Sequence, residues 1–480
     1  MKILNKLATA TIAGTIIAGS SLGSGQGIYA AGKKDETKDA NQNSDVAYMG
    51  NTKNPKNVIF LVGDGMGPSY NAAYRYFADN PDTKEMDQTA FDKYLIGSQR
   101  TNPNDPKENV TDSAAGATAF SSGQKTYNGA IGVDANKNNV KTVLEQAKEN
   151  GKSTGLVSTA EITDATPAAY ASHVDDRDKK NEIAKQFYND KINGKHKVDV
   201  LLGGGAEYFG KDNGNLKNKF KKDGYDVVTN KNELQNSKNK QVLGLFADND
   251  MPLQIDAPDK NPKLVDMTDS AVNKLKQNDK GFFLMVEGAS IDKSGHPNDV
   301  TGVMSEMSGF EKSFEYAMNY AKDNPDTLVV ATADHSTGGM SIAKGKDYVW
   351  NPDAIHQMKH SGKYMTEEIS KGKNVEKVIK DGYGFEVSQD QIDKIKDEAK
   401  KLKDLKKDEK AYESQLQKVQ DAVQKPINDK SNTGWTTNGH TGEDVNTYAY
   451  GPGSDKFKGN IDNTDNAKNI FDFFQKDVKK

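Results

Sequence analysis

Short apolar runs that stop abruptly at polar residues constrain the fold of this chain more than any other feature. The clearest of these runs are 58–62, 154–158, 198–202, 282–286 and 328–333. Runs without polar alternation are typical of strands that are buried on both faces. Helical stretches such as 140–148 lie between them. This order of elements predicts an α/β fold, with a central, mostly parallel sheet sandwiched by helices.

Acidic residues follow three of these runs directly. Asp64 comes after the first run, Glu287 after the fourth, and Asp334 and His335 after the fifth. Ligands of open α/β sheets bind beyond the carboxyl ends of the strands. A single Asp after a strand is ordinarily a turn former. Three acids and a histidine at one sheet edge instead predict a site for a hard or borderline cation.

Two further histidines extend this candidate metal site. Asp292 and His296 are four residues apart, a spacing that lets both side chains reach one ion. Taken alone, His296 before a proline would be a surface residue. His440 lies in a Gly-His-Thr-Gly segment, which suits a ligand held on a constrained turn. The other histidines have polar or helical surroundings and are interpreted as solvated or structural: His173, His196, His356 and His360.

The segment that contains Asp112 and Ser113 begins a predicted helix of small residues. Alone, Asp112 is an ordinary helix N-cap and Ser113 a first-turn residue. However, the N–H groups and dipole of a helix N-terminus also favour a phosphate. A metal would make the serine hydroxyl an effective nucleophile. Arg177 is a second candidate contact, because arginine is scarce here and a guanidinium can hold two phosphate oxygens. The alternative for Arg177 is an ion pair with an adjacent aspartate.

The first thirty residues have the pattern of a secretory signal peptide. Lys2 and Lys6 precede an apolar run over 7–19, and small residues end at Ala30. An uncleaved anchor is the alternative, although the run is short for a membrane span. Residues 31–53 are polar and predict a disordered tether. We therefore expect a secreted protein, extracellular or associated with the cell wall, with no transmembrane span after cleavage.

Composition excludes several kinds of site and partner. The chain contains no cysteine, which rules out disulfides, thiolate metal ligands and a cysteine nucleophile. Its formal net charge is −4, and loss of the two leader lysines leaves −6. This mild acidity argues against nucleic acid as an obligatory partner.

Six segments of the chain resemble, in the same order, those of the alkaline phosphatase family. They are 61–67, 110–115, 159–167, 286–292, 332–335 and 439–442. The resemblance implies hydrolysis of phosphate monoesters to an alcohol and inorganic phosphate through a phosphoserine, in a homodimer. It makes Ser113 the nucleophile and Arg177, oriented by Asp112, the phosphate ligand. Lys293 and Asp164 resemble the branch of the family that carries Lys and Asp near the magnesium.

The same resemblance implies two zinc ions and one magnesium ion per subunit. The first zinc would be held by Asp292, His296 and His440. The second would be held by Asp64, Asp334, His335 and Ser113. The magnesium would be held by Asp64, Thr166 and Glu287. Histidine and carboxylate ligands also suit cobalt or manganese.

Residues 54–480 are predicted to form the catalytic domain, with a helical insertion at about 346–431. Apolar residues at helical spacing among many charges predict an exposed helical hairpin in that insertion. A phosphodiesterase or sulfatase of the same superfamily is one alternative function. The absence of cysteine disfavours a sulfatase, and Thr166 and Glu287 favour a monoesterase over a diesterase. A non-catalytic phosphate- or metal-binding surface protein is the other alternative, and it would require a broken site. No ligand is missing here.

Overall fold

The computed structural model describes residues 54–403, 405–407 and 410–476. The predicted signal peptide (1–30) and tether (31–53) lie outside these residues. None of the described helices combines the length and the apolar character that a membrane span requires.

The strands are short, as the apolar runs predict. They are β1 (Asn57–Gly63), β2 (Leu95–Arg100), β3 (Ser153–Glu161), β4 (Lys191–Ile192), β5 (Lys195–His196), β6 (Val200–Gly204), β7 (Asp226–Val228), β8 (Val242–Leu245), β9 (Phe282–Gly288), β10 (Thr327–Thr332), β11 (Ser336–Thr337), β12 (Ser341–Ile342), β13 (Thr433–Gly434), β14 (His440–Thr441), β15 (Val445–Tyr450) and β16 (Gly459–Asp462).

The α-helices lie between the strands. They are α1 (Pro68–Ala78), α2 (Ala90–Tyr94), α3 (Ser113–Ser122), α4 (Val143–Glu149), α5 (Ala165–Ala171), α6 (Lys180–Asn189), α7 (Leu216–Lys222), α8 (Lys231–Asn236), α9 (Leu264–Leu275), α10 (Ser290–Gly295), α11 (Val300–Asp323), α12 (Pro352–His356), α13 (Gly362–Ser370), α14 (Val375–Gly382), α15 (Gln389–Leu402), α16 (Lys410–Ser431) and α17 (Asp465–Lys476). Short 3-10 helices cover Ala206–Phe209, Lys211–Asn213 and Ser454–Phe457.

Ten strands form one sheet in the order β16-β2-β15-β10-β1-β9-β3-β6-β8-β7. Strand β15 pairs antiparallel with both β10 and β2, and the other described pairs of this sheet are parallel. The sheet is therefore mostly parallel, and the predicted fold class is confirmed. Its central strands β10, β1, β9 and β3 end at the same edge, where the predicted acids lie.

Alternate residues of the central strands face two separate hydrophobic cores. In β1, Ile59 and Leu61 belong to one core, whereas Val58, Phe60 and Val62 belong to the other. The first core is covered chiefly by α1, α9 and α11, and the second by α3, α4, α5 and α17. Because both faces are covered, the strands need apolar side chains at every position.

The segment predicted as an insertion contains α12 to α16. The predicted hairpin corresponds to α15 and α16, which pack against each other. Its apolar face is buried, since Ile395, Val419 and Val423 are fully inaccessible and belong to the same core as Ile59, while many other residues of both helices are exposed. The helical spacing gives the apolar face of each helix, but not the surface that covers it.

Candidate active site

Three acids meet at the carboxyl edge of the central sheet. Asp64 directly follows β1, Glu287 is the penultimate residue of β9, and Asp334 lies two residues beyond β10. Pairing of β1 with β9 and β10 brings these strand ends side by side. All three side chains are buried, and Asp334 is fully inaccessible to solvent. The structure therefore places the predicted acids in one layer.

Ser113 is the first residue of α3 and points into this layer. Asp112 caps the helix by accepting a hydrogen bond from the Ala115 N–H at 2.9 Å. The Ser113 Oγ lies 3.1 Å from His335 Nε2 and 3.5 Å from Asp64 Oδ1. Every residue of α3 is buried, and only 3% of Ser113 is exposed. The hydroxyl thus lies at a helix N-terminus, where an incoming anion is favoured.

The first group of possible metal ligands contains Asp292, His296 and His440. Asp292 lies in the first turn of α10 and His296 directly follows this helix, so the four-residue spacing places His296 Nε2 3.2 Å from Asp292 Oδ2. His440 Nε2 lies 3.5 Å from Asp292 and 3.2 Å from His296 Nε2. His440 belongs to the two-residue strand β14, paired with β11, rather than to the predicted turn.

The tautomers of these two histidines leave their Nε2 atoms free for a cation. His296 Nδ1 lies 2.6 Å from the Asn438 carbonyl, and His440 Nδ1 lies 2.9 Å from the Thr111 carbonyl. A carbonyl only accepts, so both Nδ1 atoms carry the proton. Two Nε2 lone pairs then face each other beside a carboxylate, an arrangement that a cation would stabilise. The donor set fits zinc.

A second group surrounds His335. Its Nε2 lies 3.4 Å from Asp64 and 3.3 Å from Asp334 Oδ2, beside Ser113. Asp64, Asp292 and His335 form the second group, with possible ligand atoms within 4.8 Å of one another. Asp292 therefore lies between the two groups, which the sequence patterns did not indicate. Asp334 Oδ1 accepts from the backbone N–H groups of Gly65 and His335, each at 3.0 Å, and this fixes its carboxylate.

Glu287 and Thr166 form the third part of the site. The Ser158 hydroxyl donates to Glu287 Oε2 at 2.6 Å, which holds the carboxylate at the end of β9. Thr166 lies in the first turn of α5, with its hydroxyl buried and making no hydrogen bond of normal geometry to the described residues. A buried hydroxyl beside carboxylates fits an oxygen-liganded cation such as magnesium.

The electrostatics of the site favour bound cations. Burial and the neighbouring carboxylates Asp334, Asp292 and Glu287 raise the pKa of Asp64 well above its usual value. Burial also raises the pKa of Glu287 to about 7 and that of Asp334 to about 8. Without cations, these acids tend to retain protons, since several carboxylates so close together cannot all ionise.

Arg177 connects two aspartates at the opening of the site. Its Nη1 lies 3.1 Å from Asp112 Oδ2, and its Nη2 lies 3.2 Å from Asp164 Oδ1. Asp164 also accepts from Lys293 Nζ at 2.9 Å. Although burial opposes ionisation, Lys293 and Arg177 lower the pKa of Asp164. Arg177 thus pairs with Asp112 and Asp164 rather than with its neighbours in sequence.

Three residues that touch the site were missed by sequence reasoning. Thr337 donates to Asp292 Oδ1 and lies 3.3 Å from His335 Nδ1. Ser158 holds Glu287, and Asp250 Oδ2 lies 3.1 Å from Lys293 Nζ. The pairing of Ser158 with Glu287 across β3 and β9 would have identified Ser158, had the strand register been known.

Comparison with known proteins decides the family. A sequence profile of alkaline phosphatases matches residues 55–476. The chain is 50% identical over 430 residues to alkaline phosphatase 3 of Bacillus subtilis, covering 90% of this chain and 91% of that protein. The chain belongs to the alkaline phosphatase family. It is accordingly a hydrolase of phosphate monoesters.

Solved structures of alkaline phosphatases share the fold. The cold-active alkaline phosphatase of a Shewanella species is 38% identical, with a TM-score of 0.77, covering 87% of this chain and 99% of that one. A histidine-to-aspartate mutant of the alkaline phosphatase from the Antarctic bacterium TAB5, solved with Mg bound in its M3 site, is 28% identical. Its TM-score is 0.63, over 88% of this chain and 99% of that chain.

Proposed function

We propose that this alkaline phosphatase hydrolyses monoesters through a phosphoserine on Ser113, at a site for two zinc ions and one magnesium ion. The observation that carries the proposal is the position of the Ser113 hydroxyl, at the N-terminus of α3 and 3.1 Å from His335 Nε2. The candidate nucleophile Ser113, the N-terminus of α3 and the candidate metal ligands thus lie together in one buried site.

The residues present fit three cations. Asp292, His296 and His440 would hold one zinc. Asp64, Asp334, His335 and Ser113 would hold the other. Asp64, Thr166 and Glu287 would hold the magnesium, an ion found in the M3 site of the TAB5 mutant. Bound zinc would supply Lewis-acid chemistry, lowering the pKa of the serine hydroxyl and of water and stabilising negative charge on the leaving oxygen. Cobalt or manganese fits the same donors.

The chain's own residues bind and orient the substrate. The guanidinium of Arg177 is held between Asp112 and Asp164 and presents its remaining N–H groups to the phosphate. The N–H groups at the start of α3 favour the same anion. Lys293, held by Asp164, adds a positive charge beside the phosphate.

Two displacements then complete the reaction. The Ser113 hydroxyl releases its proton to solvent and its Oγ forms a bond to phosphorus while the bond from phosphorus to the ester oxygen breaks, and the departing alkoxide takes a proton from solvent. A water molecule next loses a proton to solvent and attacks the phosphoserine, the Oγ–phosphorus bond breaks, and Ser113 Oγ regains a proton from solvent as inorganic phosphate leaves. Two in-line displacements give net retention at phosphorus.

Hydrolysis of p-nitrophenyl phosphate tests the role of Ser113. We expect Ser113→Ala to lose at least about 10³-fold in kcat, because no other described hydroxyl occupies this position. Ser122→Ala is the matched control, since Ser122 lies at the other end of α3 and donates to the Thr118 carbonyl. Acid quenching of the wild type should leave one phosphoryl group on the peptide that contains Ser113.

Chelation and alternative substrates test the rest of the proposal. EDTA should abolish hydrolysis, and zinc with magnesium should restore it. Monoester hydrolysis that survives both Ser113→Ala and EDTA would contradict the mechanism. Faster hydrolysis of bis-p-nitrophenyl phosphate than of the monoester would instead indicate a phosphodiesterase.

We also propose that the protein is secreted and forms a homodimer. Secretion rests on the pattern of residues 1–30 and dimerisation on the family. N-terminal sequencing of exported protein should begin near residue 31, and light scattering should give twice the mass of one chain. A retained leader or a monomeric mass would contradict the respective proposal.

A further inference from the structure

A chain of alternating charges runs away from Ser113. Asp112, Arg177 and Asp164 alternate in sign, and Lys293 follows Asp164. Lys293 has a second acidic partner, because its Nζ lies 2.9 Å from Asp164 Oδ2 and 3.1 Å from Asp250 Oδ2. The ammonium group is therefore shared between an aspartate of the site and one outside it.

Asp250 is held in place from both sides. Its Oδ1 accepts from the Glu161 N–H at 3.2 Å, while Oδ2 faces Lys293. The adjacent peptides are also fixed, since the Asn249 carbonyl accepts from Gly205 N and Met251 N donates to the Thr159 carbonyl, each at 3.0 Å. Asp250 is therefore fixed to the ends of β3 and β6 rather than carried on a free loop.

The acidic residue that contacts Asp250 through its backbone is already paired. Glu161, whose N–H holds Asp250, forms an ion pair of its own with Lys180. Asp164 and Asp250 are the acids that pair with Lys293 in the described residues. An ammonium has three N–H donors, so two carboxylates leave it one for water or phosphate.

We propose that Asp250 is a positioning residue that restrains Lys293 and weakens the binding of inorganic phosphate. The inference rests on the proposed function, in which Lys293 lies beside the phosphate. Two carboxylates on one ammonium reduce the positive potential that it offers to an anion. They also limit how far the flexible lysine side chain can move toward Arg177. Asp250 would thus favour release of the product.

Asp250→Asn tests the inference in enzyme loaded with zinc and magnesium. Asparagine has the same shape and can still accept from Glu161 N–H, but it does not pair with the ammonium. We expect inorganic phosphate to bind about threefold more tightly by isothermal titration calorimetry, since the effect of a partly exposed ion pair is modest. The inhibition constant of phosphate against p-nitrophenyl phosphate should fall equally.

Asp248→Asn is the matched control. Asp248 lies in the same loop and is exposed, so its loss removes the same charge without releasing Lys293. We expect its phosphate affinity to remain that of the wild type. An equal increase in phosphate affinity in Asp248→Asn and Asp250→Asn would show a general effect of net charge and overturn the inference.

A double-mutant cycle isolates the role of Lys293. In a Lys293→Ala background, Asp250→Asn should no longer change phosphate affinity. If Asp250→Asn still tightens phosphate binding in the Lys293→Ala background, the inference is wrong. It is also wrong if phosphate binds to the single Asp250→Asn variant as in the wild type or more weakly. Asp250→Ser, which also retains an oxygen for Glu161, repeats the test if the asparagine variant does not fold. Failure of the proposed function would appear separately, as activity that survives Ser113→Ala.

Discussion

A contact of Nδ1 with a neighbouring oxygen orients each candidate histidine ligand, so that its Nε2 faces the site. His296 and His440 each place Nδ1 on a backbone carbonyl, whereas His335 places Nδ1 3.3 Å from the Thr337 hydroxyl. Because Thr337 donates to Asp292, its oxygen can accept from His335 Nδ1–H. Thr337 therefore orients one candidate ligand from each of the two proposed zinc sites.

Replacement of Thr337 by valine should weaken zinc binding. The change keeps the shape of the side chain but removes the hydroxyl that orients Asp292 and His335. Loss of such a supporting hydrogen bond typically lowers metal affinity by about tenfold to 100-fold. Competition with a chromogenic chelator measures the zinc dissociation constant directly, independently of turnover.

Thr337→Ser is the control for that prediction, because it retains the hydroxyl and should retain most of the zinc affinity. The backbone carbonyl of Thr337, which accepts from the Tyr70 hydroxyl at 2.7 Å, is unaffected in both variants. Equal zinc affinity in the valine and wild-type proteins would show that the hydroxyl does not support the site.

At the scale of elements, apolar runs predicted the central strands well because burial on both faces leaves a clear pattern. The predicted strand at 154–158 is the central part of β3, which extends from Ser153 to Glu161. Strand order and register were not predictable, since they depend on pairing between distant segments. The contact from Ser158 to Glu287 depends on that register and therefore had no local signal.

Helix α11 carries a buried acid whose ionisation should make stability depend on pH. Glu306 is 6% exposed and accepts from Gln254 N at 2.6 Å. Burial raises its pKa from 4.5 to about 7. Since the folded state binds the proton more tightly, the stability that this proton contributes is lost as pH rises from 4.5 through 7.

Glu306→Gln should remove this pH dependence. Glutamine keeps the oxygen that accepts from Gln254 N but stays neutral. The variant should therefore become more stable than the wild type as pH rises. We expect a gain of about 2–3 kcal/mol in the free energy of unfolding at pH 8, and little at pH 4.5. Urea unfolding of both proteins at these two pH values measures the difference in the free energy of unfolding. Asp323→Asn, an exposed change at the end of the same helix, should show no such difference.

At the scale of the whole molecule, contacts between distant segments limit what the sequence reveals. Asp250 and Lys293 are far apart in the chain, and neither the loop after β8 nor α10 contains a pattern that pairs them. The candidate ligands were easier to predict, because each lies at or near a strand end or in a family segment. The surface that covers the apolar faces of α15 and α16 could not be predicted for the same reason as the contact of Asp250, because it belongs to other parts of the chain.

Metal removal should destabilise the whole molecule, while reduction should not. The chain has no cysteine and hence no disulfide, so ions at the proposed sites would be the cross-links between β1, β9, β10 and the later loops. Each ion that binds only the folded state, at about 1,000 times its dissociation constant, adds about 4 kcal/mol, so the three proposed ions would together add about 12 kcal/mol. For a domain of this size, EDTA should therefore lower the Tm by about 13 °C. Calorimetry with EDTA, with EDTA followed by zinc and magnesium, and with a reductant alone measures the effect. An unchanged Tm after EDTA, with metal loss verified by elemental analysis, would show that the sheet edge is stable without ions.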